Sequence, residues 1–216
     1  MVDIQQYTWD IVGSNSWLIL EDKQGMLIDA VENDALFHKL KQLDKVTLIL
    51  THCHFDHIIG LNKIREIRDD IRVICTKKCS EYITDIHRNM SAVATIFMQF
   101  YEKEKKGGTE IEPFICNKAD VVFEDSLDLI WCDKKISLKA VYGHGDDGLI
   151  VVLDNEKLFS GDELLSIPTV TRLPRGSSKR FWEEDIPLLK SLKVEDVYPG
   201  HGNKEKFESL MRNINV

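Results

Sequence analysis

Three histidines and an aspartate fall within the six residues His52-Cys53-His54-Phe55-Asp56-His57. Imidazole and carboxylate groups are ligands for divalent transition metals. On extended backbone the side chains alternate, so His52 and His54 project to one face and Cys53 to the other. If the chain then turns into a helix, Asp56 and His57 face a second position beside the first, and the spacing suits two adjacent metals better than one. Three further candidate ligands lie far along the chain: His144 in Gly143-His144-Gly145, Asp162 in Gly161-Asp162, and His201 in Gly200-His201-Gly202. Each follows a strand-like run and neighbours a glycine, which lets the backbone turn sharply where a strand ends. Strand ends are where distant residues can assemble one site. Of the seven histidines, His38 and His87 stand alone and read as ordinary imidazoles, whereas the other five share this placement with two acids.

Short elements must position these residues. Trp17 to Leu20 and Met26 to Ile28, separated by a charged turn, read as a β-hairpin. Asn33 is placed to cap a helix carrying Leu36, Leu40 and Leu43, and Val46 to Leu50 is a buried strand leading into the histidine cluster. Ile58, Leu61, Ile64 and Ile67 suggest a helix, and Ile71 to Cys75 the next strand. From about 79 to 106, Ile83, Ile86, Met90, Val93, Phe97 and Tyr101 step by three or four residues, which predicts one face of a long helix covering the core. Strand-like runs return at 121–123, 127–130, 136–141, 149–153 and 157–160. A helix over 181–192, a strand over 194–198 and a helix over about 204–212 follow. Strands and helices mix in both halves, which suits two packed sheets with helices outside.

With 216 residues, 43 % of them hydrophobic, the chain can close one sizeable core and is expected to form a single domain over 1–216. A formal net charge of -8 argues against a phosphate-tracking surface, so nucleic acid is not an expected partner. The first twenty residues lack a basic region followed by an apolar one, and no run is long enough to span a membrane. A cytoplasmic location is expected. The five cysteines are odd in number and scattered, and Cys75 and Cys79 lack the spacing of a thiolate zinc site; all are read as reduced thiols.

The sequence resembles the metallo-β-lactamase superfamily over most of its length. His-Cys-His-Phe-Asp-His matches that family's HxHxDH motif, and the Gly-His, Gly-Asp and Pro-Gly-His elements follow in the family's order. The resemblance implies an α/β fold, the four-layer αββα sandwich. It also implies a ligand set in which His52, His54 and His144 hold one metal, Asp56, His57 and His201 the other, and Asp162 bridges them. Two divalent ions are expected, zinc foremost, with iron or manganese also admitted by the donors. Such a pair lowers the pKa of bound water toward neutrality and polarises the bond under attack. Hydroxide is then the nucleophile, and Asp56 both ligates and orients it, as the catalytic residue.

Within the superfamily, zinc β-lactamases carry cysteine or serine where Asp162 stands. The flavin-linked di-iron enzymes carry glutamate where His54 stands, together with a flavodoxin domain. Ser160-Gly161-Asp162-Glu163-Leu164 and Val197-Tyr198-Pro199-Gly200-His201-Gly202 are similar to the glyoxalase II group of thioester hydrolases and its small relatives, lactonases included. Two departures stand out. Only Gly202 to Val216 follows His201, where glutathione-specific enzymes carry a helical domain, and Gly-His-Gly-Asp-Asp-Gly replaces the usual Gly-His-Thr-x-Gly, bringing Asp146 and Asp147 near the site either as substrate contacts or as hydrated loop residues. The expected reaction is hydrolysis of a small thioester, lactone or related ester. The alternative is a persulfide (sulfur) dioxygenase holding one iron with a subset such as His54, His144 and Asp162. Arg172, Arg175 and Lys179, a basic group in an acidic chain, are candidate contacts to an anionic small-molecule substrate. The 79–106 segment could serve as a lid or a homodimer surface.

Overall fold

A computed structural model describes residues 2–101, 110–165 and 175–214. Two six-stranded sheets dominate it. The first has the order β1 (Asp3–Trp9), β2 (Ser14–Glu21), β3 (Gln24–Ile28), β4 (Lys45–Ile49), β5 (Arg72–Thr76) and β6 (Val121–Phe123). Its first three strands are antiparallel neighbours, and β3 to β6 run parallel. The second has the order β12 (Glu205–Lys206), β11 (Asp196–Pro199), β10 (Lys157–Gly161), β9 (Gly148–Leu153), β8 (Lys134–Val141) and β7 (Ser126–Trp131), antiparallel except between β10 and β11.

Alternation along each strand decides which layer each side chain enters. Trp17 and Ile19 of β2, Met26 and Ile28 of β3, Ile136 and Leu138 of β8, and Leu149, Val151 and Leu153 of β9 form one cluster between the sheets. Leu18, Leu27 and Leu48 point the other way, into a cluster with α1 (Asp34–Leu40), α2 (Phe55–Ile58), α3 (Leu61–Ile67) and α4 (Lys77–Tyr82). Ile150, Val152 and Leu158 face the opposite outer layer, made by Phe181 just after α6 (Ser178–Arg180), by α7 (Ile186–Ser191) and by α8 (Phe207–Ile214). The expected αββα sandwich is what this clustering builds. Burying each such aliphatic side chain contributes about 1.5–3 kcal/mol before entropy is charged. Among the described residues no helix is long and apolar enough to cross a membrane.

Local signals held where side chains act on their own backbone. The Asn33 side chain accepts from Leu36 N at 3.0 Å, capping α1. The hairpin closes between β2 and β3, with Asp22 in the left-handed region. The continuous helix expected over 79–106 is absent. Helix α4 ends at Tyr82, a turn follows, and after a 3₁₀ turn at Ser91–Val93 the chain resumes as α5 (Ala94–Tyr101); residues 102–106 lie outside the described segments. Asp85 Oδ1 accepts from His87 N and Arg88 N, Asn89 Oδ1 accepts from Ser91 N, and Met90 sits at φ 65°. Short polar side chains thus take amides a helix would need. The apolar spacing is also not one face: Ile83 packs beneath the first sheet, whereas Met90 joins Trp9, Phe55, Ala94 and Met98 in a separate cluster. Two other helices shift. The one read over 181–192 begins under a Ser177 cap and passes through a π turn at Phe181–Asp185, and the last starts at Phe207 because Glu205–Lys206 pairs as β12. Strand β1, whose side chains alternate without a strong apolar face, left no reading in the sequence.

Candidate metal centre

Strand β4 leads through Leu50 and Thr51 into His52-Cys53-His54, and α2 starts at Phe55 with His54 as its extended N-cap residue. His52 and His54 share a face, their rings 4.5 Å apart, and Cys53 turns away so that its thiol donates to Arg88 O. His144 follows β8, Asp162 follows β10 and His201 follows β11, all at the same end of the sandwich. Seven side chains meet there. His52, His54 and His144 present ligand atoms within 4.8 Å of one another, as do Asp56, His57 and His201, and as do His52, His57 and Asp162. His144 Nε2 lies 3.0 Å from His54 Nδ1, and His57 Nε2 lies 3.3 Å from His201 Nε2. Asp162 stands between the two groups. Its Oδ2 is 3.5 Å from both His144 Nε2 and His201 Nε2, and its Oδ1 is 3.4 Å from His57 Nε2.

Hydrogen bonds behind the cluster set which nitrogens face it. Asp29, directly after β3 and 1 % exposed, accepts from Thr51 N and Thr51 Oγ1, both at 2.7 Å, and lies 3.0 Å from His57 Nδ1. With its Nδ1 proton on Asp29, His57 offers the lone pair of Nε2. Because the Thr51 hydroxyl donates to Asp29, it accepts from His52 Nδ1 at 3.0 Å, and His52 Nε2 likewise faces inward. That Nε2 is buried without a hydrogen-bond partner. A buried imidazole lone pair aimed at two other imidazoles is costly unless a cation takes it, so the residues fit a metal. A carboxylate fixing the far nitrogen of a liganding histidine is the usual support of such a site.

Charge sorts the site into two sides. Burial, helped by the neighbouring His57 and His54, pushes His52 well below the usual imidazole range; burial and then His144 push His54 down to about 3. Both are therefore neutral imidazoles, the form that can offer a lone pair to a metal. Burial would also lower His57 and His201, but the adjacent Asp56 and Asp162 outweigh it and raise both. Burial would raise Asp56, yet His57 and His201 hold it at about 2; Asp162 is likewise held well below the carboxylate range by His201 and His57 against its burial. The carboxylates thus favour positive charge on this side of the site, which a dication would supply.

Glycine does more here than turn the chain. Gly161 does turn it, at φ 50°, but Gly200 serves as clearance: a Cβ there would collide with Asp162 Oδ1 and crowd His57. The His201 loop is tied to the first sheet by Asn15 N donating to Gly200 O at 2.7 Å, Trp17 Nε1 to Pro199 O at 2.8 Å, and Ser14 Oγ to Asp56 O at 2.9 Å. Sequence reasoning missed Ser14 and Asn15, which carry no local signal. It also missed Asp29, which closes an apolar strand as Asp162 does but lacks the neighbouring glycine that picked out Asp162.

The remaining candidates stand elsewhere. Arg172 lies outside the described residues. Arg175 donates to Arg88 O and to Cys53 Sγ, stacks on Tyr82 with 4.8 Å to the ring centre, and is 3.6 Å from Asp146. Lys179 is exposed on α6, 3.9 Å from Glu183. Neither charge joins the cluster of seven. Asp146 accepts from Lys78 at 2.9 Å and Tyr82 at 3.1 Å, while Asp147, 1 % exposed, accepts Cys53 N at 2.8 Å. Asp147 is therefore a buried clamp on the back of the motif, neither a hydrated loop residue nor a group facing the ligands.

The sequence model of the metallo-beta-lactamase superfamily matches residues 9–201. A probable metallo-hydrolase of Streptococcus pyogenes serotype M6 is 30 % identical over 86 residues, 38 % of this chain and 37 % of that protein. A hydroxyacylglutathione hydrolase of Haemophilus ducreyi is 28 % identical over 72 residues, 32 % of this chain and 31 % of its own length. The match thus spans about a third of each of these relatives. Among solved structures, the BLEG-1 B3 metallo-beta-lactamase superposes with a TM-score of 0.76 at 22 % identity, covering 97 % of both chains, a likeness of fold. With the matched region reaching from the end of β1 to His201 and enclosing the whole cluster, the chain belongs to the metallo-β-lactamase superfamily.

Proposed function

We propose that this protein is a metal-dependent hydrolase of a small thioester, lactone or related ester, working with two divalent ions, zinc foremost. The observation that carries the reading is the placement of Asp162, whose carboxylate lies within 3.5 Å of His144 and His201 through one oxygen and 3.4 Å of His57 through the other. One carboxylate reaching both groups is the arrangement a bridged pair needs. When bound, such ions lower the pKa of water and polarise the carbonyl oxygen under attack. The protein's own part is positional. Asp29 and Thr51 fix the tautomers of His57 and His52, leaving lone pairs inward. Asp56, 3.3 Å from His201 Nε2 and held ionised at neutral pH by His57 and His201, would accept a hydrogen bond from the attacking water and orient it. Trp9 packs edge-on against Phe55 at 6.4 Å and shields the motif from solvent on that side.

The stretch similar to a hydroxyacylglutathione hydrolase supports the thioester class. Five free cysteines, four of them buried, suit a reducing compartment such as the cytoplasm. The test is metal quantification followed by a panel of esters, thioesters, lactones and phosphodiesters on the same sample, with Asp162→Ala as control. The expected result is two metals per chain, oxygen-independent turnover of a thioester or lactone, and loss of one metal and most activity in the variant. One iron per chain with oxygen uptake on a persulfide would replace this reading with the dioxygenase. Wild-type rates from Asp162→Ala would remove the two-metal mechanism.

A further inference from the structure

The backbone that carries His144 is held from behind by two buried carboxyl groups. Glu163, 3 % exposed, accepts from His144 N at 2.9 Å, and Asp185, 1 % exposed, accepts from Tyr142 N at 2.9 Å. Two of the amides leading into His144, those of Tyr142 and of His144 itself, are thus taken by buried carboxyl groups from two different segments. A third tie, from Ser177 N to Tyr142 O at 3.0 Å, closes the loop from the other side.

Asp185 reaches this position through an irregularity. It is the last residue of the π turn Phe181–Asp185, between α6 and α7. An inserted residue re-aims the side chains after it, and such turns recur at functional sites. Here Asp185 points back toward β8 and the His144 loop, while Ile186 and Leu189 still enter the outer core. Burying two carboxyl groups is expensive unless they are bonded, and burial does push Asp185 above its ordinary range. A hydrophobic pair would stabilise the same layer at lower cost, so stability alone gives no reason for them.

We propose that Glu163 and Asp185 are positioning residues that fix His144 against His52 and His54, the π turn serving to deliver Asp185. This rests on reading the cluster as a metal site. The chemistry distinguishes substitutions. In Glu163→Gln the amide oxygen still accepts from His144 N, so the tie to the loop survives. Glu163→Ala and Asp185→Ala strand backbone amides in a buried site and free the loop.

The experiment is equilibrium zinc binding against a chromophoric chelator, together with melting of the metal-stripped proteins. Glu163→Ala and Asp185→Ala are expected to weaken zinc binding about 10- to 100-fold, as loss of a supporting contact behind a ligand does, and Glu163→Gln to stay within about threefold of wild type. Leu189→Ala, which opens a cavity in the same layer without touching the loop, is expected to lower the melting temperature and leave affinity unchanged. Wild-type affinity in Glu163→Ala overturns the proposal. So does an equal loss in Leu189→Ala, which would make the effect one of general stability. If either alanine variant does not fold, Glu163→Leu and Glu163→Gln supply the same contrast, and an equal affinity in those two overturns it. Failure of the wild-type protein to bind zinc would instead count against the proposed function.

Discussion

Replacing Asp29 by asparagine tests the hydrogen-bond logic behind the cluster with the least change of shape. Asp29 sits at φ 61°, which asparagine tolerates, so the backbone is preserved. Its Oδ1 accepts Thr51 N, a bond the amide oxygen keeps. Its Oδ2 faces both Thr51 Oγ1 and His57 Nδ1, and an NH₂ group there reverses both contacts. Thr51 must then accept from the introduced amide and donate to His52 Nδ1, which moves the His52 proton to Nε2. His57 must accept at Nδ1, which moves its proton to Nε2 as well. Both imidazoles lose the lone pair they turn inward. A hydrogen bond to a charged group is worth about 1.5–3 kcal/mol, and about 1.4 kcal/mol is a factor of ten. Zinc affinity should therefore fall about 10- to 100-fold, the range found for loss of a carboxylate behind a metal-binding histidine. The assay is competition for zinc with a chelating dye, with circular dichroism to show that the fold persists. Wild-type affinity in a folded Asp29→Asn protein would refute the tautomer argument.

Other outcomes follow from the same geometry. Gly200→Ala should cost most of the metal binding, because the added methyl meets Asp162 and His57; metal content after dialysis reads this directly. In the metal-stripped protein His57 and His201 have raised pKa values, so the stability they contribute is present below an unfolded pKa of about 6.5 and is lost as pH rises through their folded values. Asp56 and Asp162 act oppositely, contributing above an unfolded pKa of about 3.9 and losing it as pH falls, for Asp56 toward about 2. The increase in melting temperature on adding zinc should therefore grow as pH rises above about 6.5 and protons on His57 and His201 stop competing; an increment that shrinks with pH would contradict the charge assignment. Of the five thiols, Cys53, Cys75, Cys79 and Cys116 are buried, with Cys116 pushed up to about 12 by burial. A disulfide reagent should consume about one thiol, Cys132, in the native protein and all five after denaturation. Asn33→Ala should cost about 1 kcal/mol of stability, measured by urea unfolding, through loss of the α1 cap.

The sequence made legible whatever depends on local pattern. His52 to His57 revealed itself because a strand and a helix start place alternate and successive side chains predictably, and β2, β3, β8 and β9 because of their apolar runs. Asn33 was readable because its side chain bonds three residues on. What stayed hidden depends on partners far away in sequence. Asp29 acquires its role only when β3 and β4 lie side by side, and Asp185 only through a π turn that no spacing announces. The broken 79–106 segment misled because Ile83 and Met90, seven residues apart, look like one helical face although they serve different clusters. Arg175 read as a contact for an anionic substrate because its neighbours Cys53, Tyr82 and Asp146 all come from segments far away in sequence.

The ties from Asn15 and Trp17 to the strand end before His201 have a consequence for how the molecule comes apart. Ligand-bearing segments before Ile58 belong to the first sheet, while His144, Asp162 and His201 belong to the second. Under the proposed function, a cation held by both would be a clasp across the seam between the sheets. Such a clasp would tie unfolding of the loaded protein to metal release, so a chelator should accelerate its denaturation while leaving that of the metal-stripped protein unchanged.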